Sequence, residues 1–130
     1  MTKSKTVLIV DDMKTVRLKL KQICADLGVD AVYEATDGVE ALEMLQGISV
    51  DLVLSDWNMP NMTGIDLVAK IRQDPKMTTT PVIFITSENE KGAILKSLMN
   101  GVTDYIVKPF PEAIVRQKIC SILKITPPKK

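Results

Sequence analysis

Three stretches of the chain are apolar almost without interruption: TVLIV (6–10), VDLVLS (50–55) and PVIFIT (81–86). A strand with one wet face alternates apolar with polar residues. A strand that stays apolar throughout is covered on both faces, as in a parallel sheet held between two layers of helices. AVYEA (31–35) and DYIV (104–107) are weaker runs of the same kind and suit positions nearer the sheet edges. None approaches the roughly 20 apolar residues that a membrane-spanning helix requires.

Between these runs the period changes from two to between three and four. In 13–27, Val16, Leu20, Ile23, Cys24 and Leu27 recur on one helical face and Gly28 closes the segment. Asp37 is placed to cap a helix over 38–46 that ends before Gly47, and a third helix is expected over 63–73. A fourth carries Leu95, Leu98, Met99 and Val102 on one face and is interrupted near Gly101. The last, 112–124, turns Val115, Ile119, Ile122 and Leu123 inward. Five strands alternating with five helices predict an α/β fold, a doubly wound parallel sheet with right-handed crossovers. Periodicity leaves the strand order open. The 130 residues form one domain over 5–125, with TPPKK a frayed tail at 126–130.

Composition removes several classes of function. The 17 basic and 16 acidic residues nearly cancel, so no basic field favours nucleic acid. The opening MTKSK has no signal-peptide apolar region, and a cytoplasmic location with no membrane partner is expected. There is no histidine, which excludes histidine general acid–base catalysis, histidine zinc sites and a phosphohistidine within the chain. Cys24 and Cys120 each fall inside an apolar helical pattern and read as small buried hydrophobes, not as a disulfide or a metal pair.

In a sheet of this kind chemistry belongs beyond the carboxyl ends of the strands. Those ends read Asp11-Asp12, Asp56, Thr86-Ser87 and Lys108-Pro109. Two like charges about 4 Å apart cost about 4 kcal/mol at an effective dielectric near 20, so three carboxylates on one rim call for a neutralising partner. One lysine cannot balance three acids. Oxygen-only ligands in a shallow, watered site favour Mg²⁺ over Ca²⁺. A carboxylate beside such an ion and a lysine can attack a phosphoryl group and become an acyl phosphate, with Lys108 and the Thr86 hydroxyl holding the remaining oxygens. Plainer readings stand beside this one. Asp12 also suits a helix cap, Asp56 a strand-exit turn, and Thr86 a structural strand end.

The segments VLIVDD, DLVLSDWNMPNMTG, PVIFITSE and YIVKPF, in this order and spacing, resemble the receiver domains of two-component signalling over about residues 5–125, and EATDGVEAL (34–42) is typical of them. Within that family the likeness is greatest to the stand-alone chemotaxis members. The resemblance implies a flavodoxin-like strand order of 2-1-3-4-5. It implies that Asp56 accepts a phosphoryl group from a sensor histidine kinase or a small donor such as acetyl phosphate. Asp12, Asp56 and the backbone carbonyl of Asn58 would bind Mg²⁺ directly and Asp11 through water. Lys108 would contact the phosphoryl group, and Lys108-Pro109 would be a cis peptide. Thr86 and Tyr105 would form the switch pair, Asn58 and Glu88 would tune dephosphorylation towards a short-lived signal, and Ile94, Tyr105 and Lys118 would lie on the partner surface. Ile94 fits simple helix packing equally well. Thr63 stands where relatives often carry Asp, and Ser87 where Ala is common.

With no output domain after residue 125, the implied output is contact with a downstream target such as a flagellar motor switch, or relay of the phosphoryl group to a histidine phosphotransfer protein. The chain would catalyse its own phosphorylation and dephosphorylation, not turnover of a small molecule. A flavin-binding relative of the fold would need a phosphate loop after the first strand; here that loop opens DDMKT, acidic and without glycine. A degenerate receiver acting as a scaffold would lack an acid or the lysine, and none is missing. Trp57, the only tryptophan, reads as a bystander packed at the surface beside Asp56.

Overall fold

All five expected strands form, and they pair in parallel in the order β2-β1-β3-β4-β5, the flavodoxin-like arrangement. The computed structural model describes residues 5–57, 61–87 and 101–125. In chain order the elements are β1 (Thr6–Val10), α1 (Lys14–Asp26), β2 (Ala31–Ala35), α2 (Gly38–Leu45), β3 (Leu52–Asp56), α3 (Gly64–Gln73), β4 (Val82–Ser87), β5 (Asp104–Lys108) and α4 (Glu112–Leu123). The described residues thus hold four helices; the expected helix bearing Leu95, Leu98 and Met99 lies outside them.

The sheet divides the core in two. Along each strand, successive side chains point to opposite faces. Val7, Ile9, Leu52, Leu54, Ile83, Ile85 and Ile106 meet α1 through Leu20, Ile23 and Cys24, and α4 through Val115, Ile119 and Leu123. Leu8, Val10, Val53, Val82 and Phe84 meet α2 through Ala41 and Leu45, and α3 through Leu67, Val68 and Ile71. Burial on both sides is why the central strands read as unbroken apolar runs. The weaker runs, β2 and β5, are the sheet edges.

Local signals set where the helices start. The Asp37 carboxylate accepts the Glu40 backbone N–H at 2.8 Å and caps α2. The Thr63 hydroxyl accepts the Asp66 N–H at 3.2 Å and caps α3. Thr and Asp both serve as N-caps, so the Thr at this position keeps the function that Asp would have. Both cysteines are buried and free, and burial pushes the Cys24 thiol up to about 12.

A long-range tie secures the far end of α3. Arg72 donates to the Gly101 carbonyl through Nε at 3.1 Å and Nη2 at 2.8 Å, and to the Thr80 carbonyl through Nη1 at 2.7 Å. It pins the chain at the entrance to β5 on one side and to β4 on the other. Burial lowers the guanidinium pKa from its ordinary value.

Candidate functional site

The alternation that turns Ile9, Leu54 and Ile106 towards α1 and α4 carries Asp11, Asp56 and Lys108 to the same face, just past the end of the core. Asp11 extends the ladder by one residue, its N–H donating to the Ala35 carbonyl at 3.1 Å. Asp11 is buried, 1% exposed. One carboxylate oxygen accepts the Met13 N–H at 2.8 Å and the other accepts from Lys108 Nζ at 3.2 Å. The same ammonium lies 3.5 Å from Asp56 Oδ2. The Asp11 backbone carbonyl in turn accepts from Arg17 Nη1 at 2.8 Å, which ties the start of α1 to the acidic turn.

Asp12 is exposed and does not cap α1. Met13 holds the N-cap position, and its thioether side chain makes no cap bond. Asp12 stands on the rim, where one oxygen from each of Asp11, Asp12 and Asp56 lies within 4.8 Å of the other two. Among the described residues, these three carboxylates face the Lys108 ammonium, which pairs with Asp11 and Asp56. An octahedral Mg²⁺ with oxygens at about 2.1 Å needs ligand oxygens about 3 Å apart, or about 4 Å across the ion. The cluster is oxygen-only, of the right span and open to water at Asp12. The residues fit a hard divalent cation.

Thr86 is buried near the end of β4, paired in register with Val107, between the Asp56–Ile85 and Ser87–Lys108 levels. By alternation it belongs to the other face, with Phe84 and the α2–α3 layer. Tyr105 shares that face on β5, in register with Phe84, and is 36% exposed. Beside it Lys118 pairs with Asp104 at 2.7 Å, fastening α4 to β5. A shallow depression of about 350 Å³ is lined there by Asp104, Tyr105, Ile114 and Lys118, among others. The Lys108-Pro109 peptide is cis. Asn58, Glu88 and Ile94 lie outside the described residues.

Trp57 is half-buried, its indole meeting Phe84 edge-on at 5.3 Å between ring centres. The reading of the sequence did not single out Gly64. A Cβ built there would stand 2.9 Å from both the Asp56 carbonyl oxygen and a Phe84 ring carbon. The signal was a glycine at the first position of a helix, where other residues are intrinsically better helix formers. Arg17, which pairs with Glu34 at 3.2 Å as well as binding the Asp11 carbonyl, and Arg72, whose partners are distant carbonyls, were missed as well.

Known proteins share this arrangement. The family model described as the response regulator receiver domain matches residues 7–120. The chemotaxis protein CheY-3 of Vibrio cholerae is 42% identical over 124 residues, 95% of each chain. The chemotaxis protein CheY of Pseudomonas aeruginosa is 41% identical over 118 residues, 91% of this chain and 95% of that one. Among solved structures, the chemotaxis response regulator CheY4 of Vibrio cholerae superposes with a TM-score of 0.85 at 31% identity, covering 92% of this chain and 99% of the other.

Proposed function

The chain belongs to the response regulator receiver domain family, and on that footing we propose that it is a phosphorylatable switch with Asp56 as the acceptor. The observation that carries this reading is the convergence of three carboxylates within 4.8 Å of one another, with one ammonium 3.2 Å from Asp11 and 3.5 Å from Asp56. A purely structural rim has no use for so much like charge in one place. A site that receives a dianionic group on a carboxylate must gather cations there, and the fixed acids are what gather them.

An Asp56 oxygen attacks the phosphorus of a phosphohistidine on a sensor kinase, or of acetyl phosphate. The P–N or P–O bond breaks, and its electron pair leaves with imidazole or acetate. Imidazole departs neutral when its other ring nitrogen carries the proton. Mg²⁺ would be held by Asp12, Asp56 and the Asn58 carbonyl, with Asp11 acting through water, and when bound it supplies neutralising charge to the phosphoryl oxygens. Lys108 exchanges its contact with Asp56 for one to a phosphoryl oxygen. Asp11 keeps it aimed, since the Asp11–Lys108 bond does not depend on Asp56. The Thr86 hydroxyl donates to another phosphoryl oxygen, and its shift frees space for Tyr105 to turn inward. Asn58 and Glu88 set how long the acyl phosphate survives. Tyr105, Ile94 and Lys118 present the changed surface to a downstream target, and the CheY relatives point to chemotaxis as the pathway.

Trp57, joined directly to Asp56, reports on the test. Mg²⁺ is titrated while its fluorescence is followed, and beryllium fluoride or acetyl phosphate is then added. A saturable Mg²⁺ response is expected, then a second change that Asp56→Asn lacks. Lys108→Ala is expected to slow acetyl phosphate labelling by about 10²-fold, the usual cost of removing one positioned electrostatic donor. If neither addition moves the wild-type signal and mass spectrometry finds no adduct, the proposal is wrong.

A further inference from the structure

Asp37 caps α2, yet its cap uses only one of its two carboxylate oxygens. Oδ1 accepts the Glu40 N–H at 2.8 Å, while Oδ2 accepts from the Asn61 side-chain amide at 2.7 Å. Asn61 lies in the segment that follows Asp56, and its backbone is left-handed, with φ of 69°. Asn adopts that conformation more readily than most non-glycine residues, but it still has a cost that the surroundings must offset. The two hydrogen bonds hold the Asp37 carboxyl below its ordinary value, with the Glu40 N–H the larger influence and Asn61 next. One residue further on, Met62 sits directly against Gly38, where a Cβ would come within 2.9 Å of the Met62 side chain. At its neck the segment is closed by the Gly64 N–H donating to the Trp57 carbonyl at 2.9 Å.

We infer that Asp37 is a positioning residue for the Asp56 site: with Gly38, it makes the start of α2 a seat that holds the segment after Asp56 by Asn61 and Met62. The inference rests on the phosphoacceptor reading, because holding this segment matters to function only if Asp56 and its neighbours bind a metal and a phosphoryl group. A helix cap needs one acceptor oxygen. The second oxygen, spent on a distant amide in the acceptor segment, is what distinguishes a seat from a cap. Asp37 touches no reacting atom and acts through Asn61.

Two substitutions separate the roles. Asp37→Ser keeps a capping oxygen for the Glu40 N–H but is too short to reach Asn61. Asn61→Gly keeps the left-handed backbone and removes the amide. Both are read in the full chain by three measurements: Mg²⁺ affinity from Trp57 fluorescence, hydrogen exchange of the Gly64 amide in metal-free protein, and the urea midpoint. Each variant is expected to weaken Mg²⁺ by about tenfold, the lower end of what outer-shell partners of metal sites cost. The double variant is expected to lose no more than either single one, since both remove the same link. Gly64 exchange is expected to quicken in both, while the urea midpoint of Asp37→Ser stays near wild type. If wild type responds to Mg²⁺ and the variants match it in affinity and in Gly64 exchange, the positioning role is refuted and the phosphoacceptor reading stands. If wild type itself fails to respond, that reading fails and the positioning role falls with it.

Discussion

On the face covered by α1 and α4, the alternation of the strands runs out into Asp11, Asp56 and Lys108; on the face covered by α2 and α3, it runs out into Ser55 and Thr86 and passes Tyr105 at the edge. The first set is charged and mutually paired, and Asp11 in particular has both oxygens engaged. The second set is neutral, with a hydroxyl buried at one end and a partly exposed tyrosine at the other. Under the proposed switch, the charged groups that hold the phosphoryl site lie on one side of the sheet, and the groups that move, Thr86 and Tyr105, lie on the other. On that proposal the parity of residues along β3, β4 and β5 separates chemistry from readout.

Neighbouring residues on β4 offer the largest test of that division. Phe84 and Ile85 are both buried, but they face opposite layers. Phe84→Ala is expected to cost about 3–5 kcal/mol and Ile85→Ala about 2–5 kcal/mol in urea unfolding. Only Phe84→Ala removes the edge contact with Trp57, so it alone is expected to shift the indole emission in the folded protein. Equal spectra for the two variants would mean that the faces are not separate environments.

A smaller effect probes where the two sides meet. Gly64 touches the Asp56 carbonyl on one side and the Phe84 ring on the other. Gly64→Ala is expected to destabilise by about 1–3 kcal/mol through overpacking and to slow acetyl phosphate labelling of Asp56 as well. Lost stability with unchanged labelling would show that the helix yields and the strand end does not.

An effect seen only at high pH is confined to the α1–α4 side. With its pKa raised from 9.0 to about 12, the Cys24 thiol keeps a proton in the folded state that the unfolded chain releases. Its contribution to stability is therefore complete below pH 9 and is lost as pH rises from there towards 12. Urea midpoints of Cys24→Ala are expected to fall less steeply than wild type over that range. Parallel slopes would exclude the thiol as a contributor.

Much of this was legible in the sequence because it was written locally. Unbroken apolar runs marked the strands covered on both faces, a 3.6-residue period marked the helices, and Asp37 announced its cap by type and position. The strand order came only through the family resemblance, since periodicity carries no information about which strands are neighbours. Asp12 showed the limit of local reading, because two adjacent aspartates before a helix are indistinguishable until Asp11 is seen to hold both Met13 and Lys108. Arg72 binds backbone carbonyls, which every residue has, and Arg17 pairs with Glu34 on β2 as well as with the Asp11 carbonyl, so the neighbouring sequence could not mark their partners. The second oxygen of Asp37 was hidden for the same reason: its partner comes from a different part of the chain.

The place of β5 after the other strands in the chain also sets an order of events during synthesis. A polypeptide leaves the ribosome from its N-terminus, so the strands that bring Asp11, Asp12 and Asp56 together exist before β5 has been made. The ammonium that partners Asp11 and Asp56 is the last member of the group to be translated. Until Lys108 emerges, the nascent carboxylates lack the ammonium that pairs with Asp11 and Asp56 in the finished fold.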